Sequence, residues 1–373
     1  MALQNSTDPA EAARALEKWL QQKLPEAGDI VVSDVNTPSA AGLSAETLLF
    51  GAAWTEDGTR VAHQLVARVA PSSPGIFQHY RLDREFAVIN ALYNTGSVPI
   101  PKAWWYEEDS SVLGAPFLVL SRVDGRIAAD DPPFTAAGWV AELPADEQGV
   151  LVENSLAGMA AIHAVDRQAA ALPALDSSGA DGDELITRHL EIWREYYRWA
   201  GAGESSPTID AGFRWLEENR PAVVGPTVLN WGDARLGNQI IGDDLSVLAT
   251  IDWEMVDFGT REMDLAWWIF ILRHHTEGIG VPRPDGIPDR EAIVAAYERI
   301  SGQPVNDLHY YEVFAAVRLS AIMFRAGSLM IEIGFLPPDA PMKLNNPASQ
   351  LLAGLIGFDI PDGDAQTFIG NRN

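Results

Sequence analysis

Chemistry-bearing residue types concentrate in residues 228–264, which read VLNWGDARLGNQIIGDDLSVLATIDWEMVDFGTREMD. Asp233 follows an apolar, strand-like run, and Asn238 comes five residues later. Asp252 emerges at the end of a second apolar run, 247–251. A carboxylate and an amide from one loop, with a second carboxylate at a strand end, suit a magnesium–nucleotide site. Magnesium takes few protein carboxylates and completes its shell with phosphate and water. Phosphoryl transfer also needs a carboxylate that orients the acceptor hydroxyl, and positive charge around the moving group. One short segment could supply both.

Positioning these residues requires strands on either side of the loop, joined across the turn Gly242-Asp243-Asp244. The spacing predicts strands over 228–241 and 247–251. They interrupt a helical region with helices expected over 185–200, 208–220, 262–274, 289–300, 307–333 and 346–356; Val152, Leu156, Met159 and His163 share one further helical face. Upstream the texture differs. After Thr7 or Asp8 and Pro9, the residues Ala12, Leu16, Leu20 and Leu24 repeat at helical spacing. Strands are expected over 30–32, 46–54, 59–69, 103–106 and 117–123, with Asp57-Gly58 turning a hairpin and a helix over 77–94. The expectation is an α+β chain: a small antiparallel sheet with one inserted helix, then a larger, mainly helical part.

The chain has 373 residues, 52 acidic against 26 basic, no Cys and a net charge of −26. Its length points to two domains. Without Cys there is no disulfide, thiolate metal site or cysteine nucleophile. The acidic balance disfavours nucleic acid as a partner. No basic-apolar leader and no ~20-residue apolar span are visible, so the expectation is a soluble, cytoplasmic protein with no membrane association. No P-loop, dinucleotide fingerprint or zincin helix occurs.

The 228–264 segment resembles the aminoglycoside phosphotransferase and choline kinase-like family, whose pattern is H-G-D-x-x-x-x-N followed by a strand ending in I-D-W/F-E. This chain has Trp231-Gly232-Asp233, then Asn238, then Ile251-Asp252-Trp253-Glu254. The resemblance implies a two-lobed, protein-kinase-like fold divided as 1–121 (nucleotide-binding), 122–126 (hinge) and 127–373 (catalytic and acceptor-binding). It implies ATP and Mg as cofactors, Asp233 as catalytic base, and Asn238 and Asp252 as metal ligands. Asp264 matches a further family aspartate that braces the loop. The sequence departs at the family histidine, replaced by Trp231, which fills volume and offers one donor and no acceptor.

Kinase-like folds pair a cation on the third strand with a helix glutamate. Here those are Arg68 and Glu85, with a surface ion pair as the alternative; Arg keeps the charge and can bind phosphate in a fork. A subgroup found beside acyl-CoA dehydrogenase-like domains is similar in carrying Arg there. Gly42 and Ser44 lie in a turn resembling the phosphate-covering loop. Adenine is expected on backbone groups around Ser121 and Val123. Arg235, two residues past Asp233, either neutralises charge in transfer or is structural.

Other residues attract attention for less. Asp257-Phe258-Gly259 spells a protein-kinase metal motif, but its spacing from Asp233 is 257 − 233 = 24, against 252 − 233 = 19 for Asp252; Asp252 is the better ligand. His274 and His275 are neighbours and cannot chelate together on a helix. His163 reads as packing, and Trp193, Tyr196, Tyr197 and Trp199 as core. The function this favours is an ATP- and Mg-dependent phosphotransferase acting on a small-molecule hydroxyl. Eight carboxylates and one basic residue, Arg126, between positions 124 and 166 suit a cationic acceptor such as an aminoglycoside or choline-like amine. The alternatives are a hydroxy-acid or hydroxyacyl kinase, and a nucleotide-binding pseudokinase with a regulatory role.

Overall fold

The computed structural model describes residues 7–37 and 45–367, so Gly42 and Ser44 lie outside the described residues. The chain divides into two compact units, one of Met1–Gly96 and Ile100–Asp124, the other of Ser97–Pro99 and Gly125–Asn373. Ser97–Pro99 belongs to the second because Pro99 C=O accepts both the amide and the hydroxyl of Thr250.

The first unit opens with α1 (Pro9–Lys23), capped by Asp8, whose carboxylate accepts from the Ala10 and Glu11 amides. Then follow β1 (Gly28–Asn36), β2 (Glu46–Glu56), β3 (Thr59–Val69), α2 (Leu82–Thr95), β4 (Ala103–Glu107) and β5 (Phe117–Ser121). The strands form one antiparallel sheet in the order β1-β2-β3-β5-β4. Asp57 and Gly58, both at positive φ, close the β2–β3 hairpin, with Glu56 opposite Thr59. That pair of left-handed residues is what a two-residue hairpin turn with the right twist requires. On β3, Leu65, Ala67 and Val69 are buried, which puts Arg68 on the opposite face by the strand's period of two.

Helix α2 starts at Leu82 rather than 77, because Pro74-Gly75 bends the chain and the Phe77 amide is bonded to the Tyr80 hydroxyl instead of entering a helical ladder. Helix α1 is fixed to the sheet through Trp19, which meets Trp105 and Phe117 edge-on and donates Nε1 to Glu107 at 2.7 Å.

The second unit contains α3 (Ala145–His163), α4 (Gly182–Gly201), α5 (Pro207–Glu218), β6 (Val228–Asn230), β7 (Gln239–Ile241), β8 (Val247–Thr250), β9 (Asp257–Gly259), α6 (Arg261–His274), α7 (Arg290–Ser301), α8 (Leu308–Glu332) and α9 (Pro347–Ile356). The long strand expected over 228–241 is broken after Asn230. The chain turns at Gly232, passes through one 3-10 turn at Leu236–Asn238, and only then pairs β7 with β8. Beyond β8, β9 pairs with β6. Helix α8 is long and apolar enough to cross a membrane by composition, but 83% of that window is buried inside the protein; it is the central core helix of this unit, packed against α4, α5, α6 and α9.

Glu107 gives a pH test of the α1 attachment. The Asp109 amide, Trp19 Nε1 and Lys23 hold its carboxyl down at about 2, below its ordinary 4.5. A depressed folded-state pKa contributes stability above the unfolded value that disappears as pH falls through the folded one. The stability difference between wild type and Glu107→Gln is therefore expected to be full above pH 4.5 and to close as the pH approaches 2. Urea melts at stepped pH check this, and a gap independent of pH would contradict it.

Candidate active site

The loop after β6 is built on one buried carboxylate. Asp264, in the first turn of α6 and 0% exposed, accepts the Trp231 amide at 2.7 Å and the Gly232 amide at 3.0 Å. His163 of α3 places Nε2 3.0 Å from the same carboxylate, and its Nδ1 meets the Tyr297 hydroxyl. Facing a carboxylate, Nε2 carries the proton and Nδ1 accepts from the tyrosine. His163 is thus a packing residue, though a hydrogen-bonded one. Gly232 has φ +93, and a Cβ there would stand 2.0 Å from Met255 O, so only glycine fits.

Trp231, 1% exposed, packs beside Trp253, ring centroids 6.0 Å apart. Its single donor is used: Nε1 binds Ile251 O at 2.9 Å, which ties the loop to the segment carrying Asp252.

Asp233 is gripped by three donors. Trp267 Nε1 reaches Oδ1 at 2.7 Å; Asn238 Nδ2 and Arg235 Nε reach Oδ2 at 2.7 and 3.0 Å. The Asn238 side-chain nitrogen also donates to Asp233 O. Asp252 comes beside Asn238 by ladder register: Gln239 pairs with Thr250, and the Ile251 amide donates to Asn238 O at 2.9 Å. Asp252 sits at φ +62, a left-handed conformation that costs of order 1–3 kcal/mol in a non-glycine residue and is common at functional positions. Asp257 is different. Its carboxylate accepts from the Ser177 amide and hydroxyl and from the Phe258 amide, so it locks β9 rather than facing a ligand.

Arg235 bridges two carboxylates, Asp233 and Asp130. Burial alone would lower its pKa, but Asp130 and Asp233 outweigh it and raise it. Asp130 in turn lies below the ordinary carboxylate range: burial opposes this, and Arg235 overrides it. One member of the acidic stretch is therefore spent internally. His274 and His275 are buried and neutral; burial and their mutual repulsion pull the first to about 3, and burial pulls the second to about 4.

In the first unit, Arg68 NH1 and Glu85 Oε2 are 3.1 Å apart, with side chains 13% and 2% exposed. This is a buried pair, not a surface one. Ser121 ends β5 and Val123 follows it; the Ser121 amide is committed to Lys102 O, and Arg122 N to Gln64 O.

Three contributors escaped the sequence reading. Trp267 was findable, since it lies one turn after Asp264 on α6. Arg318 stands alone as a charge in the apolar middle of α8; its NH2 donates to Gly232 O at 2.9 Å and its guanidinium lies 4.4 Å from the Trp267 ring centroid. Asp130 gave no local signal.

Residues 41–308 match the phosphotransferase enzyme family, APH. The chain belongs to that family. Among curated proteins, mouse (Mus musculus) acyl-CoA dehydrogenase family member 11 is 26% identical over 370 residues, covering 95% of this chain and 45% of the relative. Member 10 from the same species is 30% identical over 271 residues, covering 70% of this chain and 24% of the relative. This family member thus spans less than half the length of those proteins. Among solved structures, a candidate aminoglycoside phosphotransferase from Ralstonia eutropha aligns with TM-score 0.64 at 24% identity, covering 92% of this chain and 95% of that one. A thermostable mutant of aminoglycoside phosphotransferase APH(4)-Ia, in ternary complex with ADP and hygromycin B, aligns with TM-score 0.54 at 16% identity over 92% and 98%. The fold of this phosphotransferase-family chain is protein-kinase-like, with the five-stranded antiparallel sheet and the helical part that the sequence led us to expect.

Asp264→Ala strips two backbone amides and His163 of their shared acceptor. Leaving buried donors unsatisfied costs about 1–3 kcal/mol each, so a loss of about 3 kcal/mol or more is expected in urea unfolding. A loss under about 1 kcal/mol would mean that Asp264 does not hold the loop.

Proposed function

We propose that this chain is an ATP- and Mg-dependent phosphotransferase whose acceptor is a hydroxyl of a small molecule. The observation that carries the reading is the Asp233 carboxylate, fixed by Asn238, Trp267 and Arg235 in the loop that precedes β7. Asp233 accepts the hydrogen bond of the acceptor hydroxyl and takes its proton as the oxygen attacks the γ-phosphorus. The new O–P bond forms as the bond to ADP breaks. Because the transition state is loose, orientation and charge neutralisation matter more than basicity.

Asn238 Oδ1 and the Asp252 carboxylate would hold magnesium. Among the described residues no group of three His, Cys, Asp or Glu could hold a metal; a two-ligand donor set of oxygens fits a cation that keeps phosphate and water in its shell. When bound, magnesium would supply positive charge that offsets the phosphates'. Arg68, oriented by buried Glu85, is assigned to the nucleotide phosphates, and Gly42 and Ser44 to the loop that covers them. With the Ser121 amide already used, adenine recognition falls to the Ser121 carbonyl and the Val123 amide. Arg235 positions Asp233 and adds positive charge. The ADP bound in the APH(4)-Ia complex supports a nucleotide for this chain.

A second reading of the acceptor, a hydroxy acid or hydroxyacyl group, is favoured by the acyl-CoA dehydrogenase names of the curated relatives.

Asp233→Asn keeps the shape and removes the proton acceptor. Phosphoryl transfer, followed as ADP formation over a panel of amines, hydroxy acids and sugars, is expected to fall 10²–10⁴-fold, the usual share of general base catalysis (roughly), with ATP affinity changed less than about threefold. Unchanged turnover would remove Asp233 from the chemistry. Asp252→Ala is expected to abolish the magnesium dependence of ATP binding in calorimetry; retained dependence would move the metal elsewhere.

A further inference from the structure

An ionised carboxylate offers about four lone-pair sites, and on Asp233 three of them are taken. Oδ2 accepts from Asn238 Nδ2 and Arg235 Nε, and Oδ1 from Trp267 Nε1. One site, on Oδ1, is left for the hydrogen bond of an acceptor hydroxyl. Arg235 is the residue placed to take that site away. A guanidinium beside a carboxylate tends to close side-on, with Nε and Nη2 on the two oxygens, and its Nε is already in position. Closing the fork would put a fourth donor on the carboxylate and leave the base no free site.

The fork stays open because Arg235 gives Nη1 to a second acid, Asp130 Oδ2. Among the described residues its side chain makes these two bonds only. The guanidinium is planar and rigid, so holding Nη1 fixes where Nη2 can point. Asp130 is itself braced. It pairs with Pro133 in an isolated antiparallel bridge, the Phe134 amide donates to Ala129 O, and Thr135 Oγ1 donates to His275 O at the end of α6. The nearby His274 and His275 are neutral, so Arg235 is the cation that answers Asp130. The loop makes room for the contact at one residue. A Cβ on Gly237 would stand 2.7 Å from Arg235 Nη1, 3.1 Å from Asp130 Oδ1 and 3.2 Å from Ala128 O. The Arg235–Asp130 pair therefore lies against bare backbone, between Asp233 and Asn238 in the chain.

We propose that Asp130 is a positioning residue of the transfer reaction: it holds Arg235 in a single contact with Asp233 and so keeps the last site of the base open to the acceptor hydroxyl. The inference rests on the phosphotransfer reading. Asp130 touches no reacting atom and acts through Arg235.

Crystal structures of wild type and Asp130→Ala test the contact without turnover. In Asp130→Ala, Arg235 is expected to swing until Nε and Nη2 both bond Asp233, with the loop from Trp231 to Asn238 in place. A fork already closed in wild type, or one still held by Nε alone in Asp130→Ala, would overturn the proposal. Gly237→Ala decides even if Asp130→Ala does not fold: it removes no charge, its Cβ displaces Nη1 from Asp130, and the same closed fork is expected. ADP formation over the panel of amines, hydroxy acids and sugars gives the kinetic arm. Asp130→Ala is expected to lower kcat by about tenfold or more with the KM for ATP nearly unchanged, and Asp130→Glu to recover part of the loss. Arg235→Met removes the fork, so in that background Asp130→Ala is expected to cost nothing further. A cost as large as in the presence of Arg235 would make Asp130 merely structural and overturn the proposal. A closed fork in Asp130→Ala, with no ADP formed by wild type on any acceptor, would sink the phosphotransfer reading alone.

Discussion

The Asp264 carboxylate is the contact on which the candidate site depends. Two consecutive backbone amides, those of Trp231 and Gly232, point at one buried acid, and this forces the chain to turn where a strand would otherwise continue. Glycine at 232 is the corollary, because Met255 O occupies the space a side chain would need. Asp233 is then delivered past the end of β6 with its backbone already fixed. Its carboxylate needs only to be aimed, which Trp267, Arg235 and Asn238 do from three directions. A residue placed this way does not have to be reorganised when substrate arrives, and pre-set orientation is the larger part of what phosphoryl transfer asks of a protein.

Buried charge is used repeatedly and in different ways. Arg68 and Glu85 form a pair inside the first unit, where breaking a partnership is expensive. Arg235 sits between Asp233 and Asp130, so two acids share one cation. Arg318 hydrogen-bonds a backbone carbonyl, Gly232 O, rather than an acid. The acidic excess of the chain bears less on the acceptor than composition suggests. Within the 124–166 stretch, Asp130 is engaged by Arg235 and Glu153 by Arg299.

What the sequence reveals of this site follows from what chemistry requires of residue types at fixed spacing. Asp233, Asn238 and Asp252 stand out because a loop and a neighbouring strand end must supply them; Asn238 does hold Asp233, and the β7–β8 register runs the backbone leading to Asp252 beside Asn238. Strand alternation and the Asp57-Gly58 turn likewise make the first unit's hairpin legible. The break at residue 231 is not, since apolar residues on both sides mimic one continuous strand and only a tertiary contact to Asp264 reveals the turn. Arg318 and Asp130 are silent for the same reason: each matters through a partner far along the chain, Gly232 and Arg235, at separations of 86 and 105. Trp231 is instructive in the other direction. A departure from the family histidine looks damaging in sequence, yet its one donor finds Ile251 O and keeps the loop tied to the Asp252 segment.

The most direct measurement is the position of manganese, replacing magnesium, in a crystal of the chain with a non-hydrolysable ATP analogue. Anomalous scattering should place the metal on the Asp252 carboxylate and Asn238 Oδ1, with the γ-phosphate turned toward Asp233. A metal on Asp257, or a nucleotide bound with its γ-phosphate away from Asp233, would contradict the account.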